Sequence, residues 1–247
     1  MAQNTGNARN ILVGASPLFL STLDITSPDY ADFEPTNTAK AGTATKNNKV
    51  PAFVPPTSSA VGTSYTDTLN AIDAGAGQDG AYRNVGYTNN GLQVTYNPSY
   101  GSVTVDQLLD SAKLFKESME VMIATEMAEG TLENVIAVFG QSSSTLTAPS
   151  NNTKQLGLAG GALGEAPTER QLIAVGQAPT TAAATATERV YYARRVLSVQ
   201  QSQFSLARNS ASTFPVTFRL LPSGDSAHVG KEYGFIVDRV LSKLPAA

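Results

Sequence analysis

The last third of the chain constrains the fold most. Short runs of apolar, aromatic and β-branched residues follow one another in "ERQLIAVGQAP" (169–179), "TERVYYARRVLSV" (187–199), "QFSLAR" (203–208), "TFPVTFRLLPS" (213–223) and "YGFIVDRVL" (233–241). Ala/Thr-rich or Gly/Ser-rich turns separate them, and runs of this length bounded by turn residues read as strands. A chain that continues in this way builds sheet, and a mainly β fold is predicted. Its 247 residues are enough to bury well over half of the unfolded surface in a packed core.

Composition supports sheet over solvated helix. Charged residues make up 15% of the chain, below the roughly 25% of an average soluble protein. Thr, Ser, Asn, Gln, Ala and Gly take their place, a mixture suited to strands, turns and polar loops. A net charge of -3 is too small to imply a surface that grips phosphates, so tight DNA binding is not expected. The chain has no cysteine, which removes disulfides, thiolate metal sites and cysteine nucleophiles. Its lone histidine, His228, lies among turn formers in "PSGDSAHVGKEYG" with no recognisable partner, and reads as a solvated loop imidazole rather than a general base. No stretch approaches the ~18 apolar residues of a membrane helix, and "MAQNTGNARN" lacks the apolar core of a signal peptide, so a protein kept in the cytoplasm is expected.

Along the chain, "NILVGASPLFLSTLDI" (10–25) suggests a strand, a kink at Gly14 to Pro17 and a second extended piece. Residues 26–80 are rich in Pro, Gly, Ser, Thr and Asn and have no sustained period. So long an irregular segment is either a disordered insertion or an arm ordered by another molecule. Its scattered Tyr30, Phe33, Phe53, Val54 and Tyr65 favour the arm. In "GLQVTYNPSYGSVTVDQ" (91–107), Leu92, Val94 and Tyr96 alternate with Gln93 and Thr95. Val103 and Val105 suit a return strand, and Asn97 to Gly101 reads as the turn of a short hairpin.

Residues 107–128 support two readings. Leu108, Ala112, Phe115, Met119 and Met122 are spaced as on a helix, whereas Met119, Val121, Ile123, Thr125 and Met127 alternate as on a strand. A short helix at 131–139 is better marked. Thr131 can cap its first N–H groups, Glu133 lies near the positive end of its dipole, and Gly140 offers a left-handed stop. "QSSSTLTAPSNN" and "LGLAGGALGEAP" read as loops, and the glycines at 157, 160, 161 and 164 fit no phosphate-binding spacing.

Taken in order, "VGYTNNGLQVTYNPSYGSVTVDQ", the acidic "SMEVMIATEMAEG", the helix "TLENVIAVFG" and the run of strands ending in "EYGFIVDRVL" resemble the major tail tube protein of a long-tailed bacteriophage. The resemblance covers roughly residues 8–241. It implies one tail-tube domain over 1–247: an antiparallel β-sandwich flanked by a short helix, with strands that complete a β-barrel in a hexameric ring. It also tips residues 117–128 toward strand. The long loop at about 26–80 would reach a neighbouring ring through Tyr30, Phe33, Phe53 and Tyr65. Inserts at about 141–168 and 178–187 have no counterpart in the family core and read as flexible.

The function implied is that of a virion structural protein. Stacked homohexameric rings would form a tube, assembled in the host cytoplasm, through which DNA passes without specific binding. Its partners would be further copies of itself, a tape measure protein and tail-end proteins, with no membrane and no cofactor. Closing strands between subunits would satisfy sheet edges that are an aggregation risk in a monomer.

Asp106, Asp110, Glu117, Glu120 and Glu126 would line a lumen that repels phosphate, or else pair with Lys113, Lys116 or arginines. Arg194 and Arg195 are adjacent and point to opposite faces of a strand. Either one of them meets a carboxylate on another sheet or subunit, or both reach solvent at a strand end. Catalysis has little support: carboxylate pairs such as Glu117 with Glu120 exist, but there is no tryptophan platform and no hydrolase or phosphate-loop motif. The alternative to a tube is a non-enzymatic β-sandwich recognition module that binds carbohydrate or a host surface.

Overall fold

A computed structural model of the chain describes residues 14, 16–21, 82–108, 110–150, 152–165, 167–179, 187–200, 203, 204, 208, 211–224 and 226–240. The strands are β1 (Leu18–Ser21), β2 (Tyr82–Asn84), β3 (Thr88–Val103), β4 (Lys113–Met127), β5 (Leu146–Ser150), β6 (Thr153–Leu156), β7 (Arg170–Gln177), β8 (Thr187–Ser198), β9 (Phe214–Leu220) and β10 (Gly234–Val240). Among the described residues one α-helix, α1 (Leu132–Phe139), follows β4. Every strand pairing among the described residues is antiparallel, and the fold is mainly β, as the strand runs predict.

The main sheet runs β2-β1-β7-β8-β9-β4-β3, with β10 attached to β8 off this path. One edge of β8 pairs with β7, while its other edge is shared: Thr187 to Ala193 pair with β10 and Val196 to Ser198 pair with β9. The fork falls between adjacent residues. The Arg194 amide donates to Tyr233 O on the β10 side, and Arg195 O accepts from Leu221 N on the β9 side.

The ends of this strand order, β2 and β3, are joined by only Val85 to Tyr87. Val85 N bonds Leu18 O at 3.0 Å and Ala128 N bonds Tyr87 O at 2.8 Å, so the same short link touches both ends of the sheet. The sheet therefore curls, and the two layers that face each other across the core belong to one sheet. Leu18, Leu20, Leu172, Ala174 and Ala193 meet Val121, Ile123, Met127, Phe214, Val216 and Phe218 inside the curl. The intervening residues Phe19, Ile173, Val175, Val190 and Tyr192 form a second cluster on the opposite face, with Tyr82. Strands buried on both faces read as continuous apolar runs, as "LIAV" in β7 does. The curl does not close into a barrel, because the outer edge of β3 has no partner strand among the described residues.

The α1 helix takes its predicted form. Thr131 Oγ1 accepts from Asn134 N, Gly140 stands at φ 64° as a left-handed stop, and Ala137 and Val138 enter the core. Asn134 ties the helix to the β2–β3 link, donating to Val85 O at 2.9 Å and to Glu129 O at 2.8 Å.

Several expectations are corrected. The hairpin does not turn at Asn97 to Gly101. β3 continues through these residues to Val103, the chain reverses between Val103 and Lys113, and β4 is the return strand. An edge strand tolerates Pro98, whose missing N–H removes no ladder bond on the open side. Gly101 serves close approach across the ribbon, since a Cβ there would run into Glu117 and Phe115. The open question over 107–128 resolves to strand from Lys113 onward. "QSSSTLTAPSNN" is not a plain loop: a one-turn helix at Ser143–Thr145 leads into β5, which pairs with β6. This surface ribbon has a single apolar cross-strand pair, Leu146 with Leu156, too little to leave a periodic signal. Gln203 and Phe204 stand outside any strand, and 205–207 lie outside the described residues.

Candidate functional site

The feature that departs most from an ordinary sheet is the β3–β4 ribbon. Its strands span 16 and 15 residues, but β9 pairs with β4 only from Met122 to Met127. From Lys113 to Val121 the second edge of β4 has no partner strand among the described residues, and neither has the outer edge of β3. The outer half of the ribbon is thus two strands with an open edge on each side. Unpaired N–H and C=O rows of this length are templates for strand addition.

The ribbon has two unlike faces. Cross-strand pairs place Val94 with Ile123, Tyr96 with Val121 and Pro98 with Met119 on one face. Gln93, Thr95, Asn97 and Ser99, opposite Ala124, Met122, Glu120 and Ser118, lie on the other. The first face is apolar and the second mostly polar. A register shift between Ser99 and Tyr100 marks a bulge. Beyond it Tyr100, Leu114 and Phe115 are all exposed.

The apolar face and the β8 fork enclose a groove of about 400 Å³. Tyr96, Met119 and Val121 line one wall, and Tyr191, Tyr233 and Ile236 the other. Its lining also includes Lys116, Lys231 and Glu232. The Lys116 ammonium sits 5.7 Å over the Tyr96 ring, and the Gly230 N–H holds the Glu232 carboxyl below its ordinary value. A second cleft of about 290 Å³, lined by Asn90, Gln93, Glu126, Gln200 and Thr217 together with Ala124, Pro215 and Val216, mixes polar and apolar groups and has no aromatic ring.

The predicted charges scatter rather than converge. Asp106 and Asp110 lie in the exposed ribbon turn, where Asp110 Oδ1 accepts from Ser111 N at 2.6 Å. Glu117 is exposed at the bulge, and Glu120 stands 3.7 Å from Arg219 Nε on the polar face. Glu126 is tied up, accepting from Asn90 Nδ2 at 2.6 Å, from Asn89 Nδ2 at 3.2 Å and from the Thr213 hydroxyl. Arg195 meets a carboxylate, but in its own sheet: its guanidinium binds Glu169 through both oxygens at 2.6 and 2.8 Å, just before β7. Arg194 is buried on the other face, donating to Lys231 O at 3.2 Å beside the Tyr192 ring. Tyr30, Phe33, Phe53 and Tyr65 lie outside the described residues.

His228 is not a solvated loop side chain. It is half-buried, with Nδ1 2.8 Å from Ser223 Oγ. Sequence reasoning also missed the groove, because it depends on the fork in β8, which leaves no local pattern. Among the described residues no group of acidic, histidine or cysteine side chains is arranged to hold a metal, and no helix is long and apolar enough to cross a membrane.

No protein-family model matches this chain, and no curated protein matches it significantly.

Proposed function

We propose that this chain is a structural subunit of a bacteriophage tail tube. It would assemble in the host cytoplasm through its β3–β4 ribbon into hexameric rings that stack as a conduit for DNA. The observation that carries this reading is the ribbon, which leaves the body with both edges open. Joining the β3 edge of one copy to the β4 edge of the next is a heterologous contact, and such contacts close into rings when the rotation fits. A barrel made in this way removes every open edge of the ribbon.

The two faces of the ribbon suit a barrel wall. Gln93, Thr95, Asn97, Ser99, Ser118 and Glu120 would face the lumen, and Val94, Tyr96, Met119 and Val121 the protein body. Apart from the Glu120–Arg219 pair these groups are uncharged, so the wall has no cationic patch to hold phosphate. Recognition of carbohydrate has weaker support: the cleft beside β9 lacks an aromatic platform, and the groove that carries tyrosines is mostly apolar, with few polar groups to meet sugar hydroxyls.

Sedimentation velocity across a concentration series tests the reading. Wild-type chain should pass from monomer to large assemblies. A chain with Val94→Pro and Tyr96→Pro, which strips N–H donors from the same open side of the edge strand as Pro98, should remain small while keeping the far-UV spectrum of a folded sheet. Equal assembly by both chains would contradict the proposal.

A further inference from the structure

The segment Gly157 to Gly164 carries two leucines that nothing covers. Leu158 is 75% exposed and Leu163 fully exposed at 108%. Leu163 is nevertheless held in place. Glu165 N bonds Ala162 O at 3.0 Å, Ala162 N bonds Glu165 Oε2 at 2.7 Å, and Gly164 takes φ 82°. These are the marks of a type II turn with Leu163 at its second position, an aliphatic side chain presented on a fixed turn. A single exposed leucine is ordinary in itself, but one carried at the tip of a hydrogen-bonded turn is shaped to enter an apolar groove on another molecule.

The groove in the fork is such a surface, and its place in the fold selects the occupant. The Leu163 turn belongs to the end of the sheet that carries α1: Gln141 Nε2 holds Ala159 O at 3.2 Å, and Lys154 Nζ holds Glu133 Oε1 at 2.6 Å. The groove instead lies toward the free end of the ribbon, where β10 flanks the first half of β8. Copies related by stacking along the strands therefore bring the α1 end of one against the groove side of the next. The ribbon turn at 104–112 lies on the groove side itself and would point away from the groove of a stacked copy. Charge agrees with this choice: Glu165 flanks the leucine and has no ion-pair cation among the described residues, while Lys116 and Lys231 stand at the groove, outnumbering Glu232.

We infer that the Leu163 turn of one copy docks in the Tyr96–Tyr233–Ile236 groove of the copy stacked above or below it, with Glu165 facing Lys116 and Lys231. The inference rests on the tube reading, because stacking supplies the geometry. The contact is head to tail and uses two different surfaces, so it propagates instead of stopping at a dimer.

The cysteine-free chain allows a clean test. Leu163→Cys and Ile236→Cys alter exposed side chains, so both variants should keep the wild-type unfolding midpoint. Mixed under mild oxidation at assembling concentration, they should form a disulfide-linked pair many-fold more abundantly than Leu163→Cys mixed with Thr95→Cys. A chain carrying both Leu163→Cys and Ile236→Cys should give a ladder of linked multimers. Electron microscopy of the same samples separates the two readings. Tubes without preferential cross-linking overturn this contact and leave the tube reading standing. Cross-linked ladders without rings or tubes support the contact and overturn the tube reading. Neither cross-links nor assemblies overturn both.

Discussion

Tyr96 and Val121 lie directly opposite each other on the β3–β4 ribbon, yet Tyr96 is 65% exposed and Val121 only 7%. The pair marks where the ribbon leaves the body: Val121 still faces the core, while Tyr96 overhangs the groove. Two substitutions should therefore separate stability from assembly. Val121→Ala should cost about 2 kcal/mol of folding stability from the lost methyl groups and the cavity they leave. Tyr96→Ser should cost no more than about 0.5 kcal/mol in the free subunit but weaken its self-association. Urea unfolding and sedimentation of both variants check this, and equal effects on stability would contradict the division between a core-facing Val121 and an overhanging Tyr96.

Arg195 anchors the branch point of the sheet. Its bidentate pair with Glu169 is largely withdrawn from solvent on the carboxylate side, and it also donates to Pro222 O at 2.9 Å. Glu169→Gln should lower stability by about 1–3 kcal/mol, since it leaves the guanidinium without its charged partner. Denaturant midpoints for the variant and wild type measure the loss.

At the ends of α1, Thr131→Ala should cost about 1 kcal/mol by removing the acceptor for Asn134 N. Gly140→Ala should cost about 1–2 kcal/mol, because a Cβ is disfavoured at φ 64°. The two sites lie at opposite ends of one helix and share no partner in the cap geometry. Their effects should add in the double variant within about 0.5 kcal/mol.

Much of this architecture was legible because it is written locally. The helix is announced by Thr131, Glu133 and Gly140, and β7 to β10 by short apolar runs between turn residues. The ribbon was misread because Pro98 and Gly101 look like turn residues in isolation. On an edge strand a missing N–H costs nothing, and a glycine can mark close contact across the ribbon. The helical spacing of Leu108 to Met122 lost to alternation because Val121, Ile123 and Met127 all face one core. Arg195 finding Glu169, and the groove itself, depend on which strands become neighbours around the fork in β8. No pattern within either strand records that.

Acid should weaken the β8–β10 pairing. Two hydrogen bonds from the Arg189 guanidinium, at 2.5 and 2.7 Å, hold the Asp238 carboxyl below its ordinary value. A carboxyl whose pKa is lower folded than unfolded stabilises the protein above the unfolded value, and that contribution is lost as pH falls through the folded one. The pair is partly exposed, so up to about 1 kcal/mol should disappear below about pH 4. Asp238→Asn should abolish this component and flatten the plot of unfolding midpoint against pH. An unchanged slope would contradict the assignment.

The polar face of the ribbon can be tested with charge. Glu120→Lys places a cation beside Arg219 on the face assigned to the lumen. Wild-type assemblies should retain no DNA, whereas assemblies of the variant should retain it in a manner that falls steeply with salt.

The central claim is self-assembly through the open ribbon edges, and electron microscopy of the purified full chain across a concentration series tests it most directly. The account predicts rings and hollow tubes with six-fold symmetry, their inner wall built from β3 and β4 of successive subunits. A monodisperse monomer at the highest concentration reached would contradict it.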